Sequence, residues 1–267
     1  MASIARAVIS MLSRTSLGKI AGAVPGVENL YRDLAWTSPR LCGQHFGSYA
    51  TYDEALTAIP KKLAKGWDHS ELNAADHFQP SMFASLFWLR ELLRPGDRIV
   101  DFGGSVGNLY YAFTGRSPLP EGASWHIIEV PATAEKGRRL AERRGASNLN
   151  FWTGIEDVGS YDILFSAGCL QYMDTDVTEF IPGAKKPRAV IINKIPLGER
   201  PQFWTLQNLE RYASPYRVFN EDELLCSMKE QGYRVRDRWP VSELKIEIPF
   251  HPELFLNEQA GLVFERG

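Results

Sequence analysis

Residues 97–110 read DRIVDFGGSVGNLY. A short apolar run, Ile99, Val100 and Phe102, carries the acid Asp101 near its end and opens into a turn holding Gly103, Gly104 and Gly107. The residues beyond the turn can open a helix, so the order is strand, turn, helix. Glycine at such a turn permits positive φ and lets a ligand approach bare backbone. The helix then points unpaired N–H groups into the turn, which favours a carboxylate or phosphate there.

Outward from this stretch, short apolar runs alternate with helical segments, the pattern of a parallel sheet with crossover helices. Trp125 to Ile128 is the next strand, ending at Glu129, and Pro131 starts a helix that Gly145 closes. Strands are expected at 148–152, 161–166 and 188–193, then a helix capped by Asn220 and ended by Gly232. Residues 233–239, 244–248 and 261–265 are further strand candidates; the last two lack an intervening helix and read as an antiparallel finish. Toward the N-terminus, Thr51 with Glu54 forms a capping box for a helix from Tyr52 to about Ala64, with Pro60 as a possible break. A second helix runs from Pro80 to the Pro95-Gly96 stop and lies against the sheet. The expected fold is α/β: a Rossmann-like, mostly parallel seven-stranded sheet with helices on both faces and an N-terminal helical segment. Residues 1–95 are expected to cap the core and residues 96–267 to form the Rossmann-like ligand-binding domain.

Composition narrows the function. A chain of 267 residues that is 44% apolar can bury a sizeable core. Its net charge of −2 offers no electrostatic footprint for nucleic acid. Cys42, Cys169 and Cys226 are too scattered for a disulfide framework or a zinc site, which points to a reducing cytoplasm. No apolar run approaches the roughly 18 residues of a spanning helix. Residues 1–27 hold Arg6, Arg14 and Lys19, several serines and no acid. That suits a basic helix packed on the domain, an organelle transit peptide, or a helix on an anionic membrane surface, so peripheral membrane contact stays open. The oligomeric state is not legible.

The spelling of the turn separates two cofactor classes. Dinucleotide enzymes use G-x-G-x-x-G with an acid about 20 residues downstream. Here the acid precedes the first glycine, giving D-x-G-x-S-x-G. This resembles the first motif of class I S-adenosylmethionine-dependent methyltransferases, [DE]-x-G-x-G-x-G, with Ser105 where the middle glycine is usual. In open α/β sheets ligands sit beyond the carboxyl ends of the strands. Those ends supply Asp101 and the glycines, Glu129 for both ribose hydroxyls, Glu156 or Asp157 for the adenine amino group, and Ser166 with the segment AGCLQYMD beneath the sulfonium. Acids at successive strand ends would repel phosphates and suit a cofactor bearing a sulfonium and an ammonium. No G-x-x-x-x-G-K-[ST] for a triphosphate is present.

Five blocks carry a closer resemblance: FGSYATYDEA (46–55), DFGGSVGNLYY (101–111), WHIIE (125–129), YDILFSAGCLQYMD (161–174), and the run from TLQNLE (205–210) to SPYRVF (214–219). In this order they resemble a family of methyltransferases often encoded among bacterial surface-polysaccharide genes. The resemblance implies methylation of an O or N atom of a sugar or glycan precursor. Tyr52 stands where that family usually has tryptophan, and Lys194 where it usually has arginine.

Methyl transfer needs alignment and exclusion of water, and an alcohol acceptor gains from proton removal. Gln171, Tyr172 and Lys194, near two strand ends, are the candidates: the first two to orient an acceptor, the lysine to meet its charge or proton. Tyr49 and Gln207 are candidate acceptor contacts. His126 reads as structural, whereas His45, His69 and His77 reach the site only if the N-terminal segment folds over it. Asp68-His69 and Asp76-His77 have metal-like spacing without a supporting carboxylate cluster, so no metal is expected. The competing function is a catalytically silent S-adenosylmethionine-binding scaffold, which the missing middle glycine favours.

Overall fold

The computed structural model describes residues 7–8, 11–36, 41–66, 79–181 and 185–267. The metal-like pairs Asp68-His69 and Asp76-His77 lie outside the described residues. Two sheets make up the molecule. The larger is built from β3 (Arg98–Phe102), β4 (Ser124–Ile128), β5 (Leu149–Trp152), β6 (Ile163–Ala167), β7 (Ala189–Ile195), β11 (Tyr233–Val241) and β12 (Gln259–Arg266). Its strand order is β11-β12-β7-β6-β3-β4-β5. All pairings from β7 to β5 are parallel, whereas β12 runs antiparallel to both β7 and β11. This is the expected Rossmann-like seven-stranded sheet, and its order switches at β3, where ligand crevices open.

Strand alternation divides the core. Ile99, Ile127, Ile163, Ile191 and Val263 point to the face covered by α4 (Met82–Leu92), α5 (Asn108–Thr114) and α6 (Pro131–Arg144). Val100, Ile128, Leu164, Ile192 and Leu262 point to the opposite face, under α7 (Glu221–Glu230) and the short turn Val177–Phe180. Asn220 caps α7 by accepting from the Glu223 N–H at 2.8 Å, as its position in the sequence implied.

The second sheet was not expected. A hairpin of β9 (Phe203–Leu209) and β10 (Tyr212–Asn220) is flanked by β1 (His45–Tyr49) and the short strands β2 (Ala64–Lys65) and β8 (Leu197–Gly198). Pro215 argues against a central strand, yet β10 tolerates it, because β2 and β8 pair only with its two ends and leave the middle as an edge. Residues 1–95 therefore contribute strands to a sheet shared with residues 203–220, besides α1 (Ser16–Gly22), α2 (Val27–Ala35) and α3 (Tyr52–Thr57). The Thr51 cap is present, accepting from the Glu54 N–H at 3.2 Å, but α3 stops at Thr57 rather than near Ala64, ahead of the helix-breaking Pro60.

The expected strand at 244–248 is a correction. It makes one bridge, Ile246 to Leu256, and no ladder. Ile246 and Ile248 instead pack with Phe203, Tyr216 and Val218 under the second sheet, so the apolar alternation reflects burial rather than pairing.

Candidate functional site

The site forms where the carboxyl edge of the large sheet meets one face of the second sheet. The turn after β3 holds Gly103 at φ +75°, Ser105 at +56° and Gly107 at +99°. At Gly103 a side chain would also strike Cys169, whose Cβ and Sγ lie 2.4 Å from where a Cβ would stand. Ser105 takes the left-handed backbone that the usual glycine would, at a cost of about 1 kcal/mol. Its hydroxyl is buried without a partner.

Asp101 and Glu129 converge on this turn by different routes. Asp101 sits within β3 and is 1% exposed; its carboxyl accepts from the Trp125 indole N–H at 3.1 Å and lies 2.6 Å from where a Cβ on Gly104 would stand. Burial, with the neighbouring Glu129 charge, pushes its pKa up to about 7. Glu129, just past β4, accepts from the Ser105 N–H at 3.0 Å and from its neighbour Val130 N–H at 3.0 Å. Each of its oxygens keeps a lone pair. Cys169 closes the turn from the β6 side, its thiol pushed up to about 12 by burial and by both carboxylates.

Glu156 and Asp157 lie one strand over from Glu129, beyond β5, on the exposed turn Glu156–Val158. Ser166 is different. Its hydroxyl donates to the Phe102 carbonyl at 3.0 Å inside the sheet, which ties β6 to β3 and spends its proton there.

Beyond β6, the turn Leu170–Tyr172 presents Gln171 and Tyr172 to the second sheet. The Tyr172 hydroxyl donates to Gln207 Oε1 at 2.7 Å, and its ring meets Tyr216 edge-on at 5.2 Å. Tyr216 also takes a hydrogen bond from Gln259 Nε2 at 2.7 Å and stacks edge-on with His45 at 4.6 Å. Three buried polar atoms of this layer have no hydrogen-bond partner: the acceptors Gln171 Oε1 and Gln259 Oε1, and the ring nitrogen His45 Nε2. Burial holds His45 at about 3, so it is neutral near pH 7.

Lys194 occupies a bulge. Asn193 and Lys194 together stand opposite Gly261, and Lys194 takes φ +57°. Such a bulge re-aims a side chain. Its stem passes Gly168, with Cδ 3.6 Å from where a Cβ on Gly168 would stand, and Gln171 Nε2 lies 3.7 Å from the same point. Burial lowers its pKa, and the Glu243 carboxylate acts against that shift.

Of the expected residues, the structure brings together Asp101, the glycines and Glu129, and separately Gln171, Tyr172, Gln207 and Lys194. It does not bring Tyr49 to them. In β9, Gln207 and Trp204 point to opposite faces, and Tyr49 stands beside Trp204 in the cluster with Trp36 and Phe46. Its hydroxyl turns to Arg32. His45, four residues earlier, faces the site, as an N-terminal segment folded over it requires. Tyr216, Gln259 and the Ser105 hydroxyl were not singled out from sequence. Only strand pairing reveals the first two, and the third carried a signal in the substituted glycine.

No protein-family profile and no curated protein matches the chain. Solved structures do. The chain is similar to the CcbJ methyltransferase from Streptomyces caelestis, with 12% identity, 74% of this chain and 94% of that one covered, and a TM-score of 0.47. It is also similar to the magnesium protoporphyrin IX methyltransferase from Synechocystis PCC 6803 with bound SAM, with 16% identity, coverage of 70% and 77%, and a TM-score of 0.43.

Proposed function

We propose that the chain is a class I S-adenosylmethionine-dependent methyltransferase acting on an oxygen or nitrogen of a sugar or glycan precursor. The observation that carries the cofactor is the pair of carboxylates on the glycine turn at the sheet's switch point, with no cation neutralising Asp101 among the described residues. A phosphate there would meet repulsion, whereas an ammonium and ribose hydroxyls find acceptors. The orphaned Ser105 hydroxyl supplies a donor for the cofactor's own carboxylate.

When bound, this cofactor supplies a methyl group on a positively charged sulfur. Glu129 has the free lone pairs to hold the ribose hydroxyls, and Asp101 and the turn hold the amino acid end. Glu156 or Asp157 stands ready for the adenine. The acceptor reading rests on the neutral layer above: Gln171 and Gln259 offer acceptor atoms that lack donors, His45 a ring nitrogen that lacks a partner, and hydroxyl or amide groups would supply them. Lys194, with its lowered pKa, is suited to take the acceptor proton. Tyr172 and Gln171 orient the acceptor, and the second sheet keeps water out.

Isothermal titration with S-adenosylmethionine, S-adenosylhomocysteine and NAD tests the cofactor. Binding near micromolar for the first two and none for NAD is expected, with Glu129→Ala weakening it by about 2 kcal/mol, roughly 30-fold. Absence of binding by both adenosyl compounds would overturn the reading. Tight binding without S-adenosylhomocysteine release across a panel of sugar acceptors would favour the silent scaffold.

A further inference from the structure

Among the described residues two aspartates are buried, Asp97 at 6% and Asp101 at 1% exposure, and the fold treats them differently. Asp97, at the entry to β3, is clamped by the Arg188 guanidinium, whose Nη1 donates at 2.9 Å and whose Nη2 donates to the other oxygen. It also accepts from the Arg94 N–H at 2.6 Å. Its negative charge has a positive partner inside the protein, as a buried charge requires.

Asp101 has no such partner. Four residues further along the strand, its carboxyl receives one neutral donor, the Trp125 indole N–H at 3.1 Å. Ile127 and Phe165 stand beside it in register on the two paired strands. The titratable groups that face it are the Glu129 carboxyl beyond β4 and the Cys169 thiol beyond β6. Glu129 repels a second negative charge, and the thiol, neutral up to about 12, brings no positive one. No Lys, Arg or His among the described residues faces Asp101. A buried carboxyl without a counter-charge stays neutral by keeping its proton, and its pKa of about 7 agrees.

The same carboxyl lies directly against the turn. A Cβ on Gly104 would stand 2.6 Å from Oδ2 and 2.9 Å from Oδ1, so only bare backbone separates Asp101 from what the turn binds. An ammonium brought there supplies the charge that Arg188 supplies to Asp97.

We propose that a proton and the cofactor's ammonium compete for Asp101, so that cofactor uptake expels one proton from this carboxyl and affinity falls in acid. This rests on the cofactor reading above. The free protein holds Asp101 as the neutral acid. In the complex the carboxylate pairs with the ammonium, and the proton leaves to solvent.

Isothermal titration with S-adenosylhomocysteine between pH 5.5 and 7, below the range in which an α-amino group titrates, would be run in two buffers of different ionisation enthalpy to count protons. Release of close to one proton per ligand at pH 5.5, falling to about half at pH 7, is expected, and affinity should rise about tenfold or more across that range. The Asp101→Asn variant should bind more weakly, release no proton and keep one affinity throughout. In the cofactor-free protein the Trp125 indole N–H, followed by nitrogen-15 NMR, should shift with a midpoint near pH 7 and stay still in Asp101→Asn. Binding without proton release would overturn the proposal, as would equal release from Asp101→Asn or a Trp125 signal that does not move with pH. If the Trp125 signal titrates but neither S-adenosylmethionine nor S-adenosylhomocysteine binds, the cofactor reading fails and the coupling fails with it.

Discussion

At the scale of single residues, the site is defined by groups whose polarity the fold does not fully satisfy. Asp101 is the most consequential. Its folded pKa of about 7 lies above the 3.8 of an unperturbed aspartate, because burial penalises the charge. As pH rises from about 4 to 7 the unfolded chain releases this proton while the native state keeps it, so stability falls across that window and then levels. The full cost is roughly 4 kcal/mol. His45 and His126, held by burial at about 3 and about 4, act in the opposite sense: their contribution is present above the unfolded value of 6.5 and is lost as pH falls toward those values. Comparing Asp101→Asn with the wild type cancels the histidines. The variant should gain relative stability steadily from pH 4 to 7 and hold it above, measured by urea unfolding; a constant difference would mean that Asp101 is ionised in the native state. Much of this residue was legible in advance, since an acid beside a glycine turn announces itself. Its bond to Trp125 was not, because a parallel neighbour 24 positions away enters only through strand pairing.

Elements pack here through close approaches that the chain marks with glycine. α6 crosses β5 at Gly137, where a Cβ would come within 2.1 Å of the Phe151 ring. Its backbone is ordinary helix, so Gly137→Ala changes only space and propensity. Alanine gains about 1 kcal/mol in a helix interior. Displacing a buried aromatic costs about 1–3 kcal/mol. The variant should be net destabilised in thermal unfolding, and a gain in stability would show that α6 can slide. In the sequence this glycine sits in a charged helix with no local reason for it. The helix itself was plain from Pro131 and Gly145, because caps are local, whereas the reason for Gly137 lies across the layer.

For the whole molecule, the two sheets depend on each other. β9 and β10 branch from the large domain, but Trp204, Leu206 and Ala213 are covered by Phe46, Ala55 and Trp36 from the first 95 residues. A fragment of residues 96–267 would lose β1 and β2 and expose this cluster. It should aggregate or unfold without a cooperative transition, where the full chain unfolds cooperatively; a folded, monomeric fragment would show that the second sheet stands alone.

The sequence by itself determined the large sheet, its parallel order of strand, turn and helix, and the acids at its carboxyl edge; it pointed to Gly104 for the freedom of the missing glycine, whereas Ser105 itself takes the positive φ. These follow from periods of 2 and 3.6 residues, caps and glycines, all of which act within a few residues. Only the tertiary structure decided that His45, Tyr216 and Gln259 share one layer, that Tyr49 faces away from it, that Ser166 serves the sheet, and that α2 buries Ala35 while Leu30 and Leu34 stay outside. Each of these depends on which of two faces a strand or helix presents. That choice is made by packing between segments far apart in the chain, where no local pattern carries it.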